Sequence, residues 1–136
     1  MICLDTNVVI AILNDRPPVV RARLREVLDE GERVAISAVV IFELRYGADR
    51  SAHPDRNHAR IDDLLAGPLE VLSFTEEDAA GAGEVRAHLA GQGRQIGPFD
   101  VLIAGQAKAR DLLIVTANTK EFERVSGLAV RNWEAT

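Results

Sequence analysis

Four polar side chains, far apart in the chain, have the types and positions expected of one metal-binding pocket. They are Asp5, Glu43, Asp100 and Asn118, and each lies where a short apolar segment meets the start or the interior of a predicted helix. Carboxylate oxygens drawn together by a fold bind hard divalent cations such as Mg²⁺ or Mn²⁺. A cation held in this way acidifies water and neutralises charge on a phosphate. The chemistry indicated is hydrolysis of a phosphodiester.

Each of these residues also has an ordinary explanation when it is considered alone. Asp5 is typical of a turn or a helix cap, and Asn118 of a turn. A single Glu on a helix, such as Glu43, usually faces solvent. An Asp in the first turn of a helix, such as Asp100, often only compensates the helix dipole. Their joint placement favours the site. Ionised carboxylates within about 4–6 Å repel one another, and a bound cation relieves that repulsion.

Length and composition predict one compact domain over residues 1–136. Hydrophobic residues make up 47% of the chain and charged residues 27%, as in soluble globular proteins. The formal net charge of −5 argues against a protein that coats nucleic acid non-specifically, although a local basic rim stays compatible with it.

The chain has no features of a membrane or secreted protein. No apolar run approaches the roughly 18 to 20 residues that cross a bilayer, and the N-terminus lacks the pattern of a signal peptide. We therefore expect a cytoplasmic location and no membrane association. Cys3 is the only cysteine, so an intrachain disulfide is impossible and a small buried hydrophobe is expected there.

Short strands alternate with helices along the whole chain. Strands are predicted at residues 2–5, 33–36, 69–73, 112–116 and 128–131. Helices are predicted after Asn7 and over about 18–30, 38–49, 55–66 and 76–90, with a last long one opened by Pro98. Because the strands are continuously apolar, both of their faces should be buried, which favours a mostly parallel central sheet flanked by helices.

The predicted elements place the four polar residues at one end of that sheet. Ligands in open α/β sheets bind outside the carboxyl ends of the strands. Asp5 and Asn118 follow strands directly, and Asp100 falls in the first turn of its helix. Glu43 lies one to two turns into a helix that Ser37 can cap. All four can therefore face the same edge.

Several short motifs, in this order, carry a family resemblance over the whole length. They are Leu4-Asp5-Thr6-Asn7; Ser37 with Phe42-Glu43-Leu44 and Tyr46-Gly47; Gly97-Pro98-Phe99-Asp100 with Ile103-Ala104; and Ile114-Val115-Thr116-Ala117-Asn118-Thr119 with Glu121-Phe122. The chain resembles the PIN-domain family, and more narrowly the VapC-type toxins of type II toxin–antitoxin pairs. The resemblance implies a PIN-like three-layer α/β sandwich.

The resemblance also implies a metal-dependent endoribonuclease. In it, Asp5, Glu43 and Asp100 hold Mg²⁺ or Mn²⁺, and Asn118 completes the catalytic set. The supporting residues are Thr6, Asn7, Ser37, Thr116 and Glu121. Many family members have an acid where this chain has Asn118, so we predict one tightly held ion, with recruitment of a second ion by the substrate left open. Glu121 either supplies the missing charge or is simply an exposed residue at a helix start.

The resemblance further implies a structured RNA substrate, cut to leave a 5′-phosphate and a 3′-hydroxyl without help from the ribose 2′-OH. Look-alikes that share the segment from Gly93 to Asp100 imply transfer RNA cleaved in the anticodon region. Arg94 and Lys120 are the first candidates for RNA binding. The three histidines, at positions 53, 58 and 88, lack the spacing of a common site and are expected at the surface.

Expected partners also follow from the resemblance. They are a VapB-type antitoxin whose tail lies on the helices at 38–49 and 55–66, DNA reached only through that antitoxin, and a second copy in a homodimer. Two other functions stay open. One is a catalytically weak, antitoxin-binding corepressor. The other is a metal-binding receiver-type signalling domain, although Asp5-Thr6 lacks the acid pair such a domain needs after its first strand.

Overall fold

A parallel β-sheet with helices on both faces forms the protein, and the computed structural model describes residues 1–135. The strands are β1 (Ile2–Leu4), β2 (Val34–Ser37), β3 (Glu70–Leu72), β4 (Leu113–Val115) and β5 (Val130–Arg131). Their order is β3-β2-β1-β4-β5, and every neighbouring pair is parallel. The predicted α/β class and parallel sheet are confirmed, and each strand lies within two residues of its predicted range.

Seven helices connect or follow these strands in the described part of the chain. They are α1 (Thr6–Asn14), α2 (Pro18–Asp29), α3 (Ala38–Asp49), α4 (Pro54–Leu65), α5 (Glu76–Gly91), α6 (Pro98–Ala109) and α7 (Thr119–Phe122). The predicted start signals are present: Ser37 Oγ accepts from the Val39 N–H at 3.1 Å, and Thr75 with Asp78 forms a capping box. A four-residue helix shows no period, so α7 was not bounded from the sequence.

The strand order puts β1 at the centre of the sheet. Successive strands are added on one side of β1 first and then on the other. β2 and β3 add on one side of β1, and β4 and β5 add on the other. Right-handed crossovers then place α1–α4 on one face and α5–α7 on the opposite face, which gives three layers. In such sheets the binding crevice opens at the carboxyl ends of the two strands where the order reverses, here β1 and β4.

Buried aliphatic side chains from the sheet and both helix layers form the core. Leu4, Ile36 and Ile114 are fully buried on the central strands, and Ile103 of α6 is fully buried against them. Cys3 is also fully buried, and burial raises the pKa of its thiol to about 12. Its predicted role as a small hydrophobe is confirmed. No helix within residues 1–135 combines the length and the apolar character that crossing a bilayer requires.

Helices α5 and α6 are clamped together, which fixes the helix that carries Asp100. A Cβ on Gly105 would lie 2.3 Å from the Ala82 Cα, so only glycine permits this approach. The Asp78 carboxylate accepts from Arg110 Nη2 at 2.7 Å and from Gln106 Nε2 at 3.0 Å. Because Asp78 and Gln106 are buried, these bonds act in a medium where they are strong.

Candidate metal centre and active site

Asp5 lies at the carboxyl end of β1 and is held rigidly there. Its side chain is only 3% exposed. Oδ1 accepts from the Thr6 backbone N–H at 2.8 Å, and Oδ2 accepts from the hydroxyl of Thr116 at 2.8 Å and from Asn7 Nδ2 at 3.2 Å. Burial raises the pKa of this carboxyl, and the three hydrogen bonds act in the opposite direction. The carboxylate is thus both oriented and satisfied.

Thr116 and Asn7 join the loop after β4 to the loop after β1. Thr116 is fully buried, and its hydroxyl oxygen accepts from the Asn118 backbone N–H at 3.0 Å. Asn7 Oδ1 accepts from the Ala117 N–H at 3.1 Å. The two loops therefore have one fixed relative position at the carboxyl ends of β1 and β4.

Glu43 is brought to Asp5 by Thr6. Glu43 lies in the second turn of α3, whose start is set by the Ser37 cap. Its Oε1 accepts from the Thr6 hydroxyl at 2.7 Å. Since the backbone N–H of Thr6 donates to Asp5, one residue contacts both carboxylates. Glu43 is half-buried, which leaves its other oxygen available to a ligand.

Asp100 lies in the first turn of α6 and is electrostatically linked to three other acids. Burial raises the pKa of its carboxyl to about 7, assisted by the charge of Asp5, by hydrogen bonding to Glu121 and its charge, and by the charge of Glu43. Gly97 makes room for this carboxylate, because a Cβ there would lie 2.9 Å from Asp100 Oδ2. Four carboxylates from four segments therefore converge.

Asn118 and Glu121 differ in how they relate to the other acids. Asn118 is the residue before α7, and its backbone N–H bonds to Thr116. Its side chain makes no capping hydrogen bond. Glu121, one turn later, is half-buried and interacts with Asp100. Glu121 therefore supplies negative charge beside Asp100, which the neutral Asn118 amide cannot do.

The donor set fits a hard divalent cation. Four carboxylates could supply oxygen ligands, and their mutual repulsion adds to the burial that raises the pKa of Asp100. Among the described residues 1–135, no three His, Cys, Asp or Glu side chains are grouped closely enough to hold an ion as they stand. Mg²⁺ keeps several waters and takes only one or two carboxylates directly, so an open arrangement suits it.

The candidate RNA-binding residues lie on two segments, the one that precedes α6 and α7 itself. Arg94 is exposed in the turn that precedes α6, and Lys120 is exposed on α7 next to Glu121. Arg124 Nη1 donates to the Gln95 carbonyl at 2.9 Å and ties these two segments together.

The histidines lie outside this site. His53 and His88 are exposed, and His58 is half-buried and bonds to Asp49 at 2.7 Å. Sequence reasoning missed two other neighbours of the site, Phe42 and Phe99, which adjoin Glu43 and Asp100 and are exposed. Aromatic residues directly beside two candidate metal ligands were the signal that could have indicated them.

Comparison with known proteins agrees with this geometry. Residues 2–128 match the family model described as PIN domain. The chain belongs to the PIN-domain family. The predicted recognition and PIN fold are therefore confirmed.

Curated relatives narrow the family to the VapC ribonucleases. The chain is 45% identical over 130 residues to the tRNA(fMet)-specific endonuclease VapC of Shigella flexneri, with 96% of each chain covered. It is 38% identical, with the same coverage, to the protein of that description from Salmonella typhimurium. The predicted class, a phosphodiester-cleaving VapC toxin ribonuclease, is confirmed, and the receiver-type alternative has no support.

Solved structures of such proteins have the same fold. VapBC2 from Rickettsia felis, bound to a DNA fragment from its promoter, aligns with a TM-score of 0.89 at 35% identity, covering 98% of this chain and 99% of that one. DNA-bound VapBC from Salmonella typhimurium aligns with a TM-score of 0.89 at 38% identity, covering 97% of each chain. In these relatives, toxin, antitoxin and DNA form one complex.

Proposed function

We propose that this VapC ribonuclease cleaves an initiator-type transfer RNA in its anticodon region with the help of Mg²⁺, for which Mn²⁺ can substitute. The observation that carries the proposal is the convergence of Asp5, Glu43, Asp100 and Glu121 at the crevice between β1 and β4. The two relatives that are tRNA(fMet)-specific endonucleases support transfer RNA as the substrate. Because transfer RNA is present in the cytoplasm, this substrate favours action there.

Asp5, Glu43 and Asp100 are the proposed metal ligands, with Glu121 as a further source of negative charge. Bound there, the ion would supply charge neutralisation at the phosphate and a water of lowered pKa. The protein's own contribution is orientation. Asp5 cannot rotate because three hydrogen bonds hold it, and Thr6 fixes Glu43 relative to Asp5.

Asn118 is proposed to act beside this charged set without adding to its charge. Its backbone bond to Thr116 fixes its Cα, and its free amide can donate to a phosphate oxygen. Arg94 and Lys120, which are both exposed, are proposed to contact phosphates of the RNA. We propose cleavage to a 5′-phosphate and a 3′-hydroxyl, because water rather than the ribose 2′-OH would attack the phosphate. No general base is then needed at the 2′-OH.

A VapB-type antitoxin is the proposed protein partner. An apolar groove of about 240 Å³ lies between α1, α3 and α4, with Ile10, Leu13 and Ile61 among its lining residues. Glu43 borders the groove, so a tail bound there would end near the carboxylates. We further propose that DNA is reached only through this antitoxin, and that the toxin pairs as a homodimer.

Cleavage of a purified transfer RNA in Mg²⁺ tests the proposal. We expect cleavage by the native protein and none by Asp5→Asn or in EDTA. Asp63→Asn, a matched change at an exposed residue of α4, should cleave normally. The 5′ and 3′ ends of the fragments identify the products. Identical RNA patterns in all lanes would defeat the proposal and leave the antitoxin-binding corepressor as the function.

A further inference from the structure

Two exposed aromatic rings lie side by side next to the carboxylates. Phe42 of α3 and Phe99 of α6 have ring centroids 5.3 Å apart and ring planes inclined at 52°. Their side chains are 53% and 42% exposed, whereas Phe122 is fully buried. Such a pair gains little from burial, so the hydrophobic core does not explain it.

The position of each ring is fixed relative to the site by the chain itself. Phe42 precedes Glu43, and Phe99 precedes Asp100. Neighbouring Cα atoms are about 3.8 Å apart, so the backbone of each aromatic residue adjoins that of a proposed metal ligand. The rings meet across α3 and α6, the two helices whose Glu43 and Asp100 carboxylates interact, so the aromatic pair lies beside the proposed metal site.

The exposed aromatic surface continues along α3 toward its C-terminal end. Tyr46, one turn after Phe42, is 57% exposed. The guanidinium of Arg50 lies 5.8 Å from the Tyr46 ring centroid, and Arg50 Nη1 donates to Tyr46 Oη at 3.0 Å. Residues spaced by four share one face of a helix, so these side chains form one strip ending in a cation.

Electrostatics limits how this site can attract RNA. The chain carries a net charge of −5, and four carboxylates converge where the phosphate must bind. Phosphate contacts therefore cannot supply all of the affinity at this point. Stacking of a base on an aromatic ring needs no charge, and it is the usual way in which proteins hold unpaired RNA bases.

We propose that Phe42 and Phe99 form a stacking surface for an unpaired base next to the scissile phosphate. This inference rests on the proposed function, since it concerns how the same site holds its RNA. Arg50, at the end of α3 on the same strip, would contact the backbone of a neighbouring nucleotide. The pair thus selects for a loop whose base can be turned outward, and excludes a continuous duplex.

Two variants, Phe42→Leu and Phe42→Trp, test the inference on two RNAs. One RNA is the intact anticodon stem-loop, and the other lacks a single base. On the native anticodon stem-loop, Phe42→Leu should raise KM about tenfold with kcat little changed, and Phe42→Trp should retain activity. Removal of the base beside the cut should raise the KM of the native protein about tenfold. The same change should not raise the KM of Phe42→Leu any further. Val71→Ala, an exposed apolar residue of β3, is the matched control.

Binding in EDTA separates this inference from the proposed function. Fluorescence of Phe42→Trp, with the Phe42→Leu signal from Trp133 subtracted, should be quenched by the native loop and not by the abasic loop. Absence of cleavage by the native protein in Mg²⁺ would defeat the proposed function, while the quenching still tests the stacking surface.

Two results would overturn the inference itself. One is an equal loss on abasic loops for the native protein and Phe42→Leu, because the ring would then act independently of the base. The other is a change from dimer to monomer in Phe42→Leu by light scattering, because the pair would then be a contact between two copies of the chain.

Discussion

The Thr116 hydroxyl donates to the Asp5 carboxylate at 2.8 Å, although 111 positions separate the two residues. Both are buried, and the same hydroxyl oxygen accepts the Asn118 backbone N–H. One side chain therefore fixes a proposed metal ligand and the loop after β4 together. This relationship depends on β1 and β4 being neighbours in the sheet.

Removing the Thr116 hydroxyl should damage both stability and activity. Thr116→Val keeps the shape but leaves the Asn118 N–H and one Asp5 oxygen without their partner, at a cost of about 1–3 kcal/mol. Urea unfolding measures that loss, and the cleavage rate should fall with it. Thr116→Ser keeps the hydroxyl and is the control. Equal unfolding midpoints for Val and Ser would show that the hydroxyl bond has no net value.

Neutralising Glu121 should weaken the response to Mg²⁺. Glu121→Gln removes one of the charges that interact with Asp100, so about tenfold more Mg²⁺ should be needed for half-maximal cleavage. Glu123→Gln changes an exposed acid two residues later and should leave the Mg²⁺ titration unaltered. Superimposable titrations for both variants would remove Glu121 from the site.

Asp100→Asn should stabilise the metal-free protein while abolishing cleavage. The carboxyl of Asp100 has a pKa of about 7 in the fold against 3.8 for the free side chain. A raised carboxyl pKa means that stability declines as pH rises from about 4 through 7. Because solvent screens a half-buried group, we expect a gain of about 1 kcal/mol at pH 8.

Thermal unfolding in EDTA measures this gain for Asp100→Asn. The difference in Tm from the native protein should vanish near pH 4, where the native carboxyl is protonated. Added Mg²⁺ should raise the Tm of the native protein more than that of the variant. A lower Tm for the variant at pH 8 would contradict the repulsion on which the metal site is based.

The buried acid Asp78 should govern stability in acid. Hydrogen bonding from Arg110 holds the pKa of Asp78 well below its usual range. Its contribution is therefore present above about pH 4 and is lost as pH falls below that value. Asp78→Asn should cost about 3 kcal/mol at pH 7, since it leaves Arg110 unpaired and removes half of the capping box.

Urea unfolding between pH 3 and pH 7 tests the role of Asp78. The native protein should lose stability on acidification by more than the variant does. Glu70→Gln breaks the exposed pair with Arg33 and should change the midpoint little at any pH. Parallel pH profiles for the native protein and Asp78→Asn would refute the assignment.

A charge in the groove between α1, α3 and α4 should block the antitoxin and spare the nuclease. Ile10 is 45% exposed and lines this groove. Ile10→Asp would bury a carboxylate under the antitoxin tail and should weaken binding at least about tenfold. Val71→Asp introduces the same charge at an exposed position on β3. Equal affinities by calorimetry would place the tail elsewhere.

The sequence alone determined the order of elements and most of the candidate site. Apolar runs indicated five strands, and local signals such as the Ser37 cap and the Thr75–Asp78 box fixed helix starts to within a residue. These signals are local hydrogen bonds and side-chain periods, so they can be read without a fold. The motifs around Asp5, Glu43 and Asp100 indicated the family. The metal-binding roles of these three residues stay predictions.

Only the tertiary structure decided which side chains meet. Strand order placed β1 beside β4 and so joined Asp5 to Thr116. Helix packing directed Glu121 toward Asp100 and set Phe42 against Phe99. No local pattern encodes these contacts, because they depend on crossovers between segments tens of residues apart. Residue types determine the chemistry of the site, while long-range packing determines its geometry.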